Sequence, residues 1–152
     1  MVTPLEALKA SSLLVGLSSE EIEALLAISE QRTCSAPALI VAEGTPSDCL
    51  FILLDGSVVI EKENAGSPVV LATFTQNGDF FGEMSLIDIM PRSANIRARE
   101  DVQILAFPKK ELASFFTKLP RAQMTMILNI ARNLSLRLRA SGERIVELTR
   151  SQ

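Results

Sequence analysis

The spacing of hydrophobic positions changes twice along the chain and divides it into three parts. In the first part, Ser18 precedes Glu21 by three residues, and hydrophobic residues then follow at helical spacing: Ile22, Leu25, Leu26 and Ile28. Serine at this distance before glutamate is typical of a capping box, in which the two residues bond each other's backbone N–H groups at the start of a helix. The pattern predicts a helical lead-in over residues 1–31.

The second part consists of short segments rich in Val, Ile, Leu, Phe and Thr, separated by turn residues. Gly44 and Gly56 flank a predicted strand over residues 50–54, and Gly78 lies in a third turn. Each glycine is expected in a left-handed turn conformation that needs no ligand. Short, evenly spaced strands predict a jelly-roll-like β-roll over residues 32–108, so the expected fold class is mainly β with flanking helices (α+β).

The third part returns to helical spacing over residues 109–152. A short helix is predicted first, and then a long helix that starts near Pro120. Hydrophobic positions on the long helix recur every three and four residues, which is the heptad pattern of a coiled coil. We call these positions the dimer seam: Ile127, Ala131, Leu134, Leu138, Ser141, Ile145 and Leu148. The region around 124–128 is able to pack on its own domain, but little chain remains to cover the second half, which predicts a homodimer through residues 121–148.

Composition and charge restrict the functional classes. With 47% hydrophobic and 22% charged residues, the 152-residue chain is expected to form one folded domain. Its net charge of −3 gives no general attraction to nucleic acid or to anionic membranes. No segment approaches the roughly 20 apolar residues that span a bilayer, and no secretion signal is recognisable, so a cytoplasmic location is predicted.

Histidine is absent from the chain, which removes the commonest general base and the usual zinc ligand sets. The two cysteines, Cys34 and Cys49, form no CxxC pair and are expected to be buried, reduced thiols. We therefore predict that the chain is not an enzyme and that it needs neither a metal ion nor a cofactor.

The segment from Phe81 to Ala98, FGEMSLIDIMPRSANIRA, combines groups that suit both an anion and a sugar. Gly82 lets backbone N–H groups approach an anion, Glu83 is able to accept hydrogen bonds from sugar hydroxyls, and Arg92 offers a planar fork to phosphate oxygens. A short helix is expected to start here, and the N–H groups of its first turn also favour an anion. The segment predicts a site for one small ligand that carries both phosphate and hydroxyl groups.

This segment resembles the signature of the cyclic nucleotide-binding domain family, in which Phe-Gly-Glu and Arg-Ser/Thr/Ala-Ala flank a short helix that holds the cyclic phosphate. The resemblance extends over nearly the whole chain. It implies that Glu83 accepts from the ribose 2′-hydroxyl and that Arg92 neutralises the phosphate, which leaves cAMP, cGMP and cyclic dinucleotides as candidate ligands. The predicted ligand-binding residues are Phe81, Gly82, Glu83, Met84, Ser85, Arg92, Ser93 and Ala94.

Several residues are candidates for contact with the purine base. The chain resembles most the sensor domain of bacterial catabolite-activator-type regulators, which place a Thr-Ser pair of the long helix against adenine. The same spacing from Arg92 reaches Arg137 and Leu138 here. Arg137 could stack on a base or bond a guanine edge, Leu138 could pack beneath the base, and Ser141 could take the role instead. The candidate base contacts are Val70, Arg137, Leu138 and Ser141.

Regulators of that type continue into a winged helix-turn-helix that reads DNA, whereas this chain ends at Gln152. No part of the chain can therefore be assigned to a recognition helix, and direct DNA binding is disfavoured. The sequence favours a cyclic nucleotide sensor that relays ligand binding through its carboxy-terminal helix to a protein partner.

Three alternatives stay open at this point. In the first, Glu83 and Arg92 pair with each other and fasten a loop without any ligand. The second is a ligand-independent dimerising adaptor with the same fold, or a truncated transcription regulator. The third is a nucleic-acid-binding protein that uses the six arginines between Arg121 and Arg150.

Overall fold

The computed structural model describes residues 2–46, 48–87 and 91–150. Within these residues the α-helices are α1 (Pro4–Ala10), α2 (Ser19–Ala27), α3 (Lys109–Lys118) and α4 (Pro120–Arg150). The strands are β1 (Glu30–Cys34), β2 (Leu39–Val41), β3 (Cys49–Asp55), β4 (Val58–Asn64), β5 (Ser67–Phe74), β6 (Phe80–Phe81), β7 (Asn95–Ala98) and β8 (Val102–Pro108). Single turns of 3-10 helix occupy Ser12–Leu14 and Glu83–Leu86.

The strands form two four-stranded antiparallel sheets that face each other as a β-roll. Their strand orders are β1-β8-β3-β6 and β2-β7-β4-β5. The predicted fold class, mainly β with flanking helices, is confirmed. The expected left-handed turns are also present, with φ of 83° at Gly44, 93° at Gly56 and 91° at Gly78. At Gly56 any β-carbon would lie 2.5 Å from the Asp101 carbonyl oxygen, so this turn requires glycine.

The central strand β3 is buried on both faces because it separates two hydrophobic cores. Its even-numbered residues, from Leu50 to Leu54, belong to a core shared with the helices. Its odd-numbered residues, from Cys49 to Leu53, belong to a second core between the two sheets. Successive side chains of a strand point to opposite faces, so a strand between two cores reads as a continuous hydrophobic run.

The capping box at the start of α2 is present as predicted. The Glu21 backbone N–H donates to Ser18 Oγ at 3.1 Å, and the Ser18 N–H donates to Glu21 Oε1 at 2.8 Å. Arg121 Nη1, at the start of α4, donates to the same oxygen at 2.8 Å. Donation from the Ser18 backbone lowers the pKa of Glu21, with a smaller contribution from Arg121, although burial opposes both. Glu21 therefore joins the lead-in helices to the long helix.

We predict that Glu21→Gln lowers the free energy of unfolding by about 0.5–1 kcal/mol at pH 7, because glutamine keeps the cap but loses the charge at the helix amino end and beside Arg121. The folded-state pKa of Glu21 lies below its ordinary value. The stabilisation by the Glu21 charge is therefore complete at pH values above the ordinary pKa and disappears as the pH falls through the lowered pKa. Urea unfolding from pH 7 down to pH 3 measures the difference. The exposed neighbour Glu20→Gln is the matched control, and an equal loss there at pH 7 would contradict the assignment.

The first half of α4 packs on its own domain, as predicted, although both ends of the 124–128 region are exposed. Met124 and Leu128 are 74% and 49% exposed, whereas the inner face consists of Ala122, Met126, Asn129 and Ile130. Asn129 Nδ2 donates to the carbonyl oxygens of Leu13 at 2.8 Å and Val15 at 2.9 Å. These two hydrogen bonds and the buried residues Ala122, Met126 and Ile130 together hold this face of the helix on the domain.

The dimer seam is divided between the domain and solvent. Leu134 is half-buried against the core that the helices share, so this seam position belongs partly to the domain itself. Leu138 is 75% exposed and Ile145 is 63% exposed. Every residue of α4 from Leu138 to Arg150 is exposed. Across the described ranges, α4 included, no helix combines the length and the apolar character that crossing a bilayer requires.

Candidate ligand-binding site

The predicted short helix is present as one turn of 3-10 helix, Glu83–Leu86, which we call the cassette helix. It starts directly after β6, which pairs with β3 at the sheet edge. Ser85 Oγ donates to the Gly82 carbonyl oxygen at 2.9 Å, and the Ser85 N–H donates to the same oxygen at 3.3 Å. Ser85, predicted as a ligand-binding residue, therefore uses its N–H to close the turn. Met84 beside it is 42% exposed. Residues 88–90 of the motif lie outside the described residues.

Gly82 allows an unusually close approach between the cassette helix and Arg92. Its φ of 75° lies in the left-handed region. A β-carbon at this position would lie 2.8 Å from Arg92 Nη1 and 3.0 Å from the Cys49 carbonyl oxygen. Both the backbone conformation and the lack of space therefore require glycine at position 82. Glycine is needed here for the close approach of Arg92 and not only for the approach of a ligand.

The Arg92 guanidinium is held mainly by backbone oxygens, and the whole residue is 7% exposed. Nη2 donates to the Cys49 carbonyl at 2.7 Å, and Nη1 donates to the Gly82 carbonyl at 3.4 Å. Nε is buried and has no hydrogen-bond partner. A guanidinium has five N–H donors, so these two bonds leave capacity for further acceptors.

Among the described residues, the carboxylate paired with Arg92 is that of Asp48, at 3.8 Å and on a side chain that is 80% exposed. Burial lowers the pKa of Arg92, and Asp48 offsets this only in part. Arginine nevertheless stays charged at neutral pH, so the site holds a buried cation whose described counter-ion lies on an exposed side chain. A buried charge that is only partly compensated is costly, and a bound anion would add to the compensation.

Glu83 is 5% exposed, and its carboxylate pairs with the long helix. Its Oε1 accepts from Arg137 Nη1 at 2.9 Å. The alternative in which Glu83 and Arg92 fasten each other is therefore wrong, since Glu83 bonds α4 and Arg92 bonds the backbone. Arg137 also lies over two aromatic rings, with its guanidinium carbon 5.0 Å from the Phe74 centroid and 5.5 Å from the Phe80 centroid.

A cavity of about 370 Å³ lies beside the Arg92 guanidinium, within the range usual for small-molecule sites. Its walls come from the first strands of the roll as well as from the motif. The lining residues are Arg32, Leu39, Ile40, Val41, Ala42, Thr45, Pro46, Asp48, Phe51 and Arg92. Of these, Arg92 alone was predicted from the motif. Arg32 and Phe51 carry no sequence signal for a site, because only the folding of β1 and β3 around Arg92 brings them there.

The remaining predicted residues divide between core and surface. Phe81 is fully buried, and its ring stacks on Phe51 at 5.3 Å and on Phe74 at 6.1 Å between centroids, so it packs the roll core rather than the cavity wall. Ser93 is exposed, and its carbonyl accepts from Lys62 Nζ at 3.2 Å. Ala94 beside it is half-buried.

The four candidate base contacts do not share one environment. Arg137 reaches the cassette helix, as described above. Val70 and Leu138 are 47% and 75% exposed, and Ser141 is also exposed. The structure therefore brings one of the four to the predicted site and leaves the other three on the surface.

Both cysteines are free thiols. Cys49 is buried as predicted, and burial raises the pKa of its thiol, which makes it a poor nucleophile. Cys34 is only half-buried, because β1 lies at the edge of its sheet. In the part of the chain that the structure describes, no three Cys, Asp or Glu side chains are grouped to hold a metal ion.

Comparison with known proteins agrees with this geometry. Glutaminase 1 of Bradyrhizobium diazoefficiens is 36% identical over 137 residues, which cover 90% of this chain and 22% of that protein. The cyclic AMP receptor protein of Thermus thermophilus is 28% identical over 127 residues, which cover 84% of this chain and 59% of the receptor. The chain thus spans less than two thirds of each of these relatives.

Solved structures give the same assignment of the fold. A cyclic nucleotide-binding domain from Methylobacillus flagellatus superimposes with a TM-score of 0.81 at 26% identity, covering 94% of this chain and 80% of that chain. The family model for the cyclic nucleotide-binding domain matches residues 31–118, which include the whole roll except its first residue. This family of regulatory binding domains occurs in receptor proteins and also in proteins named as enzymes. The chain therefore belongs to the cyclic nucleotide-binding domain family.

Proposed function

We propose that this chain is a sensor module that binds cAMP or cGMP beside Arg92. The observation that carries the proposal is the buried Arg92 guanidinium, which faces a cavity of about 370 Å³ and has a buried Nε without a hydrogen-bond partner. A cyclic phosphate is a compact anion that would compensate this charge. Relatives support both ligands, since one is named a cyclic AMP receptor and another a cGMP-dependent phosphodiesterase.

In the proposed complex, the phosphate accepts hydrogen bonds from the remaining donors of Arg92. The ribose 2′-hydroxyl donates to Glu83, and the cassette helix contributes through Met84 and Ser85. Ser93 and Ala94 border the phosphate, while Val70, Leu138 and Ser141 stay available for the base. Because Val70, Leu138 and Ser141 do not line the cavity beside Arg92, contact with a base bound there requires α4 or β5 to move toward it.

We further propose that α4 transmits ligand binding to a protein partner. The bond between Glu83 and Arg137 already connects the ligand-binding residues to this helix. The exposed seam residues Leu138 and Ile145 would pair with a second copy of the chain. Ligand binding would then shift an equilibrium between two positions of α4 by its difference in affinity for them. A ligand-independent adaptor has no comparable use for a buried Arg92 whose Nε lacks a hydrogen-bond partner.

Thermal unfolding with and without nucleotide tests the proposed ligand class. A ligand at 100 times its dissociation constant stabilises the folded state by about 2.7 kcal/mol, which raises the Tm of a domain of this size by roughly 5–10 °C. We expect this shift with cAMP or cGMP. The matched control is 5′-AMP, which lacks the cyclic phosphate and should give a much smaller shift. Equal shifts with all three nucleotides, or none with any, would contradict the proposal.

A further inference from the structure

We propose that Arg137 is a positioning residue that holds Glu83 in place for the ribose 2′-hydroxyl of the ligand, rather than a contact to the purine base. The inference rests on the proposed function. It assigns a role to a contact between α4 and the cassette helix that neither the motif nor the spacing of the long helix predicts.

The side chain of Arg137 is held on two sides before any ligand is present. One of its nitrogens, Nη1, donates to Glu83 Oε1 at 2.9 Å. Its guanidinium also lies over the rings of Phe74 and Phe80, at distances where cation–π attraction operates. The arginine is therefore anchored to the roll and directed at the carboxylate.

The Glu83 carboxylate needs this partner because its side chain is only 7% exposed. A buried carboxylate without a cation is costly and would turn toward water. With Arg137 in place, the carboxylate stays inside the site. A carboxylate has about four acceptor positions, so the bond from Arg137 leaves room for a hydroxyl donor. The ligand hydroxyl and Arg137 thus bind the same carboxylate together and strengthen each other.

This arrangement also couples the ligand to the long helix. Glu83 lies on the cassette helix and Arg137 lies on α4, so a hydroxyl that tightens Glu83 also favours the docked position of α4. By linkage, the ribose hydroxyl favours the docked position of α4 by the same factor by which docking of α4 favours binding of the hydroxyl. A change that releases α4 should therefore weaken binding of the hydroxyl by that factor. A base contact by Arg137 would instead make affinity depend on the purine and not on the 2′-hydroxyl.

The test removes the ribose 2′-hydroxyl and the Arg137 side chain singly and together, in a two-by-two design. Calorimetry measures the affinities of wild type and Arg137→Ala for cAMP and 2′-deoxy-cAMP, and likewise for cGMP and 2′-deoxy-cGMP. We expect the variant to bind the ribonucleotide about 10- to 100-fold more weakly, which is the loss of one charge-assisted hydrogen bond. Its affinity for the deoxy analogue should change less than about threefold.

Two further variants complete the design. Arg139→Ala removes an exposed arginine two residues along α4 and should change neither affinity. Arg137→Lys keeps the charge and should recover part of the ribonucleotide affinity if Glu83 positioning is what matters. The melting temperature of each variant shows whether it is folded before affinities are compared.

Equal losses for the ribo and deoxy ligands in Arg137→Ala would overturn the inference and indicate a general structural role. A loss that differs between adenine and guanine ligands but ignores the 2′-hydroxyl would overturn it in favour of a base contact. Failure of the wild type to bind any of the four nucleotides would overturn the proposed function as well. The two failures are distinguishable because failure of the inference alone leaves nucleotide binding by the wild type intact.

Discussion

Replacing Arg92 by alanine is expected to weaken cyclic nucleotide binding by about 100-fold or more, the largest effect on affinity that we predict. A hydrogen bond between charged groups contributes about 1.5–3 kcal/mol, and this guanidinium is able to make two to one phosphate. Arg92 is also the one buried cation that lines the cavity within the described residues. Titration calorimetry of the wild type and the variant with cAMP and cGMP measures the difference.

The interpretation of Arg92→Ala needs controls, because Arg92 also bonds the carbonyls of Cys49 and Gly82. Arg92→Lys keeps the positive charge but cannot reproduce the two-pronged geometry, so it should still lose much of the affinity. Arg99→Ala, at an exposed arginine shortly after β7, should keep the affinity of the wild type. Wild-type affinity in a folded Arg92→Ala would show that the phosphate binds elsewhere.

Replacing Leu138 by glutamate is expected to convert the proposed homodimer into a monomer. Leu138 is 75% exposed within one chain, so the change should leave the domain folded. In a parallel pair, however, it would place two carboxylates in the apolar seam. Burying such charges costs several kcal/mol, enough to raise the dissociation constant of the dimer by about 100-fold or more. Leu134 is less suitable for this test, since it also packs against the domain core.

Light scattering at several protein concentrations measures the outcome, with one chain contributing 16.5 kDa. The wild type should give about twice this mass and Leu138→Glu the single value. Leu136→Glu is the matched control, because Leu136 is 66% exposed on the same helix but lies off the dimer seam. A wild type that is monomeric throughout, or a Leu138→Glu variant that stays dimeric, would contradict pairing through this seam.

Local signals in the sequence predicted much of the fold. The capping box at Ser18, the left-handed glycine turns and the short helix after Gly82 each depend on a few neighbouring residues, so spacing was enough to find them. The motif also predicted Glu83 and Arg92 as ligand-binding residues, and the structure buries both. The capping box and the glycine turns depend on contacts within a short stretch of chain or on one left-handed backbone position.

Partners that are distant in sequence could not be predicted in this way. Glu83 and Arg137 are 54 residues apart, and Arg97 donates to the buried Glu61 at 2.7 Å across neighbouring strands. Both pairs depend on how helices and sheets pack. The part of α4 that packs on the domain was predicted only as the region around 124–128, and the hydrogen bonds of Asn129 to the amino-terminal turn were not predicted. Heptad spacing alone does not distinguish a face on the domain from a face on a partner.

The third alternative, nucleic-acid binding through the arginines of α4, has a different signature from the proposed function. Arg137 is engaged with Glu83, and Arg121 donates to Glu21, so two of the six arginines serve the fold. Binding of nucleic acid by the others would weaken steeply with added salt and would be indifferent to cyclic nucleotide. Cyclic nucleotide binding at a buried arginine should depend less on salt, since buried charge pairs are weakly screened.

The proposal that this chain is a cyclic nucleotide sensor is tested most directly by titration calorimetry of the full chain with cAMP and with cGMP at physiological salt. We predict saturable binding of at least one of them with a stoichiometry of one nucleotide per chain, and no comparable binding of 5′-AMP. The tighter ligand would identify the purine that the sensor recognises. Absence of binding for both cyclic mononucleotides by a folded protein would contradict the proposal and favour a cyclic dinucleotide or the ligand-independent adaptor.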